Sequence, residues 1–253
     1  MNLNEQQKKS IEHFNGPCLV VGTPGSGKTR VITERVKYLV EEKGVKNTNI
    51  LVITFTKAAA VQMKKRYEAM VSGDAKRVYF GTFHAIFFTI LKYAYHYTAD
   101  NIIRDDVKRQ LLRELANKEE IEMQDENDFL NELVSEISKV KGEMLDLRHY
   151  YSPNCPGESF RRIYSGYQSI LESRKLIDFD DMLVYCYELL KAREDIRQMW
   201  QRQYPYILID EFQDINKVQY DIVKMLASPK NNLFIVGDDD QSIYGFRGAK
   251  PDI

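Results

Sequence analysis

The stretch "GTPGSGKT" at residues 22–29 constrains this chain more than any other. It fits the spacing G-x-x-x-x-G-K-(S/T), directly follows the aliphatic run "CLVV", and precedes a helical pattern that opens near Lys28. Closely spaced glycines let successive backbone N–H groups turn inward around phosphate oxygens, and the start of a helix adds partial positive charge there. Gly22, Thr23, Pro24, Gly25, Ser26 and Gly27 would form the cradle. Lys28 would reach the β and γ phosphates of a nucleotide, and the Thr29 hydroxyl would hold Mg²⁺. A loop of this kind needs a strand before it and a helix after it, which commits the chain to an α/β fold.

The rest of the chain fits that commitment. Five short apolar runs read as strands: "CLVVG" (18–22), "ILVITFT" (50–56), "RVYFGTF" (77–83), "YILIDE" (206–211) and "NLFIVGD" (232–238). Most are continuous β-branched or aliphatic stretches, the pattern of parallel strands covered on both faces. Helical patterns alternate with them, notably at 28–43, 57–70 and 216–228, which predicts a parallel sheet. Residues 91–177 differ. They hold no strand pattern, and "VKRQLLRELANK" and "FLNELVSEISKVKG" have amphipathic helical periodicity. The expected organisation is a discontinuous core, residues 1–90 and 178–253, around an all-helical insert, 91–177.

Bulk properties exclude some functions. A formal net charge of −1 argues against a uniformly basic nucleic-acid coat, although not against a local groove that binds through backbone amides and stacking. Cys18, Cys155 and Cys186 lie far apart with no CxxC pair, so neither a zinc site nor a disulfide framework is indicated. The polar start and the lack of a long apolar run predict a soluble, cytoplasmic protein without a signal peptide or membrane span.

Two acidic motifs narrow the chemistry. "YILIDEFQD" (206–214) puts Asp210 and Glu211 at the C-terminal end of a strand, the edge where ligands sit in such sheets. Asp210 suits the Mg²⁺ shell, and Glu211 suits orienting and deprotonating an attacking water. A solvated turn is the plain alternative for this pair, and Gln213 and Asp214 are candidates to cap the next helix. "NLFIVGDDDQSIYGFRG" (232–248) reads as a further strand delivering its loop to the same edge. There Gln241 would sit near the γ phosphate, close in sequence to Tyr244 and Phe246, whose faces can stack on bases without regard to sequence. Arg247 could neutralise the carboxylates or reach phosphate, and packing beneath the loop is the alternative for the two aromatics.

Taken with "LNEQQ" (3–7), "GTPGSGKTR" (22–30), "TFTKAAAVQM" (54–63), "GTFH" (81–84) and "DFDDML" (178–183), these motifs resemble the UvrD/Rep/PcrA family of superfamily 1 DNA helicases. They occur in family order and span almost the whole chain outside the helical insert. The resemblance implies a RecA-like P-loop NTPase core carrying the insert. It implies that Gln7 reads the adenine edge and Arg30 lies against the adenine. It implies that Phe55, Tyr244 and Phe246 contact bases of a tracked single strand, that Thr82 and His84 touch its backbone, and that Gln241 senses the γ phosphate. The activity implied is an ATP-dependent 3′–5′ helicase acting on single-stranded DNA and duplex junctions, with ATP and Mg²⁺ as cofactors.

Read without the family, His84 is a helix-start residue, Phe55 a core residue, and "DFDDML" an acidic N-terminal cap. Lys57, Lys64, Lys65 and Arg66 form either a phosphate-contacting face or a solvated one. Phe246 stands where the family often has tryptophan, and Gln62 where it is often acidic. The chain stops where the family continues into a second RecA-like core that supplies the arginine fingers. The expectation is therefore an ATP-binding half-motor that binds nucleotide and hardly turns it over. The alternative is a nucleotide-dependent module that grips DNA or a partner without motor activity.

Overall fold

The computed structural model describes residues 3–23, 25–121 and 125–238. Five strands form one all-parallel sheet: β1 (Cys18–Val21), β2 (Ile50–Thr54), β3 (Tyr79–Thr82), β4 (Tyr206–Ile209) and β5 (Leu233–Gly237). Their spatial order is β1-β5-β4-β2-β3, so the strands that follow the insert lie between the first two strands of the chain. Each strand is shorter than its apolar run, which extends past it at the sheet's C-terminal edge and, for β3 and β5, at its start as well.

Alternation along the strands divides the core into two layers. On one face, Ile50 and Val52 of β2, Leu208 of β4 and Phe234 and Val236 of β5 pack with Ile11, Val36, Leu39 and Met63. Those residues come from α1 (Glu5–Glu12), α2 (Lys28–Glu41) and α3 (Lys57–Glu68). On the other face, Leu51, Ile53, Ile207, Ile209 and Leu233 pack with α4 (Phe83–Tyr95) and three helices described below. The expectation that strands are covered on both faces holds for β2, every residue of which is buried. It fails for β1, an edge strand whose Leu19 and Val21 are 65% and 57% exposed.

Between β3 and β4 the chain is helical. Three helices, α5 (Asp105–Lys118), α6 (Glu126–Gly142) and α7 (Gly157–Ser173), share a third apolar cluster built from Leu112, Leu130, Leu133, Ile137, Phe160 and Tyr167, among others. This cluster is separate from the two sheet layers. Then α8 (Phe179–Ala192), α9 (Glu194–Gln203) and, after β4, α10 (Lys217–Ala227) return to the sheet and complete the layer with α4. The entry and exit of the helical stretch meet at one point: Ile103 N–H donates to Ile177 O at 2.9 Å and Ile177 N–H to Asn101 O at 2.7 Å. Helix α4 runs unbroken through residue 91, from the end of β3 toward the helical stretch.

Candidate nucleotide and nucleic-acid sites

The loop after β1 closes over the start of α2. Gly27 caps that helix in the left-handed region, φ 86°, which a side chain would strain. Gln7 braces the loop from α1. Its Nε2 donates to Ser26 O at 2.9 Å, while its Oε1 accepts the Asn4 N–H at 2.9 Å and completes a capping box. Thus the side chain expected to read an adenine edge is engaged with the loop and its own helix cap. Arg30, in the first turn of α2, pairs with Glu34 at 3.7 Å. Lys28 Nζ donates to Gly22 O at 2.7 Å and to Asp238 Oδ2 at 3.3 Å, so the ammonium is held inside the loop's curve.

Asp210 follows β4 directly, its N–H continuing the ladder to Ile53 O at 2.9 Å. It is 4% exposed. Burial first, then the neighbouring Glu211 carboxylate, push Asp210 up to about 6, with Lys28 partly opposing the shift. Among the described residues its Oδ1 is buried without a hydrogen-bond partner. No cluster of three or more His, Cys, Asp or Glu that could hold a metal forms among them. A lone buried carboxylate oxygen of this kind fits a hard cation whose remaining ligands are water and phosphate rather than protein. Glu211 takes a left-handed backbone, φ 53°, where the chain leaves the strand, and such outliers in non-glycine residues concentrate at functional sites. Gln213 and Asp214 do not cap the next helix. Asn216 does, accepting the Gln219 N–H at 2.9 Å in a capping box.

Of the residues expected to meet nucleic acid, the described ones, Phe55, Thr82 and His84, follow β2 and end β3 or open α4 at the same sheet edge. Phe55 follows β2 and is half-buried, between the core and solvent-facing readings. Thr82 caps α4, its Oγ1 accepting the Ala85 N–H at 3.3 Å. His84 lies in the first turn of α4 and meets the Phe179 ring edge-on at 5.5 Å. Phe55, His84 and Phe179 line a cleft of about 500 Å³ between sheet and insert, with Lys108, Ser138 and Asp180 on its walls. Phe179 is 54% exposed and was not among the candidates. The signal for it was present: an aromatic at the first position of a helix, between two aspartates. Lys57, Lys64, Lys65 and Arg66 all lie exposed on α3. Pro24, Gln241, Tyr244, Phe246 and Arg247 fall outside the described residues.

The description of the UvrD/REP helicase N-terminal domain matches residues 3–253. The chain belongs to this family. The resemblance drawn from the motifs is thereby borne out, and the all-parallel sheet with its helices agrees with a RecA-like core. Similar proteins include YjcD of Bacillus subtilis (strain 168), 38% identical over 261 residues, which cover 99% of this chain and 34% of that protein. Two proteins named ATP-dependent DNA helicase PcrA are also similar. The Leuconostoc citreum protein is 36% identical over 98% of this chain and 34% of its own length, and the Staphylococcus aureus (strain Mu50) protein 35% over the same shares. The chain spans about a third of the length of the curated relatives it matches. Among the described residues no helix is long and apolar enough to cross a membrane.

Proposed function

We propose that this chain is the ATP-binding half of a motor that couples ATP hydrolysis to 3′–5′ movement on single-stranded DNA and to the opening of duplex junctions. The observation that carries the reading is convergence at one sheet edge. The loop with Lys28 follows β1, and the buried carboxylate of Asp210, with its unpartnered oxygen, and Glu211 follow β4; these two strands flank β5 and end at the same edge of the sheet. Backbone amides of 22–29 would hold the phosphates, with Lys28 exchanging Asp238 for phosphate oxygens. Gln7 and Arg30 would lie on the adenine side. Thr29 and Asp210 would hold Mg²⁺, which when bound offsets charge on the phosphate oxygens.

In the reaction, a water oxygen bonds to the γ phosphorus as the bond to the leaving oxygen breaks. The electron pair stays on ADP, and the water's proton passes to Glu211. Phe55, Thr82 and His84, joined by Phe179 and by Tyr244 and Phe246, would grip the strand, and Gln241 would sense the γ phosphate. The core is taken as 1–90 with 178–253, and the insert as 91–177.

The test is the ATPase rate with and without single-stranded DNA. Lys28→Ala is expected to weaken nucleotide binding. Glu211→Gln is expected to leave binding intact and to lower turnover by about 10²-fold or more. Nucleotide-dependent DNA binding with no turnover in any form, and no effect of Glu211→Gln, would favour a binding module without motor activity.

A further inference from the structure

Gln213 lies in the short 3₁₀ turn 212–214 that follows Asp210 and Glu211, and it is 6% exposed. Both ends of its amide are in use. Nε2 donates to Glu211 Oε2 at 2.7 Å, and Oε1 accepts the backbone N–H of Asp238 at 3.0 Å. These partners leave no choice of orientation: an N–H must face the amide oxygen and a carboxylate must face the NH₂, so a flipped amide would lose both bonds. Gly237 makes the room. A Cβ there would stand 2.9 Å from Gln213 Oε1. Asp238 is in turn the counter-ion of Lys28, at 3.3 Å. One buried amide therefore connects the carboxylate after β4 to the residue that holds the loop lysine.

We propose that Gln213 is a positioning residue for hydrolysis. It holds Glu211 Oε2 in a single place relative to the attacking water and keeps it in register with the end of β5, where Lys28 is held. The inference rests on the reading of Glu211 as the base. A partly exposed glutamate otherwise samples several rotamers, and a base displaced by a fraction of its reach loses rate without losing ligand. Gln213 touches no substrate atom in this scheme; its effect runs through Glu211.

The experiment compares wild type, Gln213→Met, Gly237→Ala, Glu211→Gln and the Gln213→Met/Glu211→Gln double variant. Affinity is read with a fluorescent methylanthraniloyl ATP and Mg²⁺. The chemical step is read as single-turnover hydrolysis of γ-labelled ATP with protein in excess. Thermal melting checks folding. Gln213→Met is expected to bind nucleotide within about threefold of wild type and to hydrolyse it about tenfold or more slowly, a split that a structural role would not produce. Gly237→Ala, which drives a methyl into the amide oxygen, is expected to reproduce the split with Gln213 present. In the Glu211→Gln background, Gln213→Met should cost nothing further, since both act through one carboxylate.

Gln213→Met at the wild-type rate, or parallel losses of affinity and rate, or losses that multiply in the double variant, would overturn the proposal. Should Gln213→Met fail to fold, Gly237→Ala decides by the same split. A wild-type chain that neither binds nor hydrolyses ATP would sink the ATP-site reading and this inference with it; an active wild type with an indifferent Gln213→Met sinks only the latter.

Discussion

Asp210 carries a cost that can be measured. Its carboxyl is raised to about 6 by burial and by Glu211, so the folded state holds the proton more tightly than the unfolded chain does. The stability contributed by protonated Asp210 is fully present below about pH 4 and is lost as pH rises through about 6. Asp210→Asn keeps the neutral shape at every pH. It is therefore expected to be more stable than wild type at pH 8, by about 2–3 kcal/mol in urea titrations, and level with it below pH 4. A gain that is independent of pH would contradict this account. Phe179 gives a second prediction at the same scale. Its exposed ring in the cleft with Phe55 and His84 is placed to stack on a base, and Phe179→Ala should weaken binding of a fluorescent oligo-dT by about 1–3 kcal/mol. Nucleotide affinity should stay unchanged.

At the scale of elements, α5, α6 and α7 are joined to the start of α8 through charge. Lys141 of α6 pairs with Asp181 Oδ1 at 2.7 Å and Asp178 Oδ2 at 3.0 Å, at the start of α8. Lys108 of α5 reaches Asp178 at 3.1 Å and Asp180 at 3.5 Å, and Tyr167 of α7 donates to Asp178 at 3.0 Å. All three of these helices thus converge on the turn that presents Phe179 to the cleft. Burial alone would raise the Asp178 carboxyl, but Lys141 and Lys108 outweigh it and hold it below the usual carboxylate range. Its stabilising share is present above about pH 4 and is lost as pH falls further. Lys141→Met leaves Asp181 without its cation and Asp178 with Lys108 alone, and is predicted to cost about 3–5 kcal/mol, together with a weaker dependence on acid below pH 4. A loss under about 1 kcal/mol would mean that the pairs only break even against their desolvation.

For the whole molecule, the prediction concerns turnover. On the proposed reading this chain supplies Lys28, Asp210 and Glu211 to the site, and the resemblance places the arginine fingers of the family in a second core. Fingers of that kind contribute about 10³- to 10⁵-fold in phosphoryl transfer. This chain alone is expected to bind Mg-ATP, to hydrolyse it slower by about that factor than the longer relatives it resembles, and to open no duplex. Turnover by the isolated chain at the rate of such a relative, measured side by side, would require an arginine from within this core or from a second copy of it.

What could be read from consecutive residues was what short-range physics decides. The phosphate loop needs only the glycine spacing of 22–29 and a strand before it. The five strands announce themselves as apolar runs, and the helical character of 105–173 follows from periodicity. The position of Asp210 and Glu211 at the C-terminal end of β4 was legible because they directly follow a continuous apolar run. Contacts between distant residues decided the rest. The order β1-β5-β4-β2-β3 depends on where the chain re-enters the sheet after its helical excursion, and it left Leu19 and Val21 on an exposed edge where the run of apolar residues predicted cover. The ion cluster joins residues 108, 141, 167 and 178–181, whose charges look like solvated helix faces until burial removes the water between them. Gln213 was a candidate helix cap because capping is a local rule; its bond to Asp238 exists only because β4 and β5 are neighbours, which no local pattern encodes.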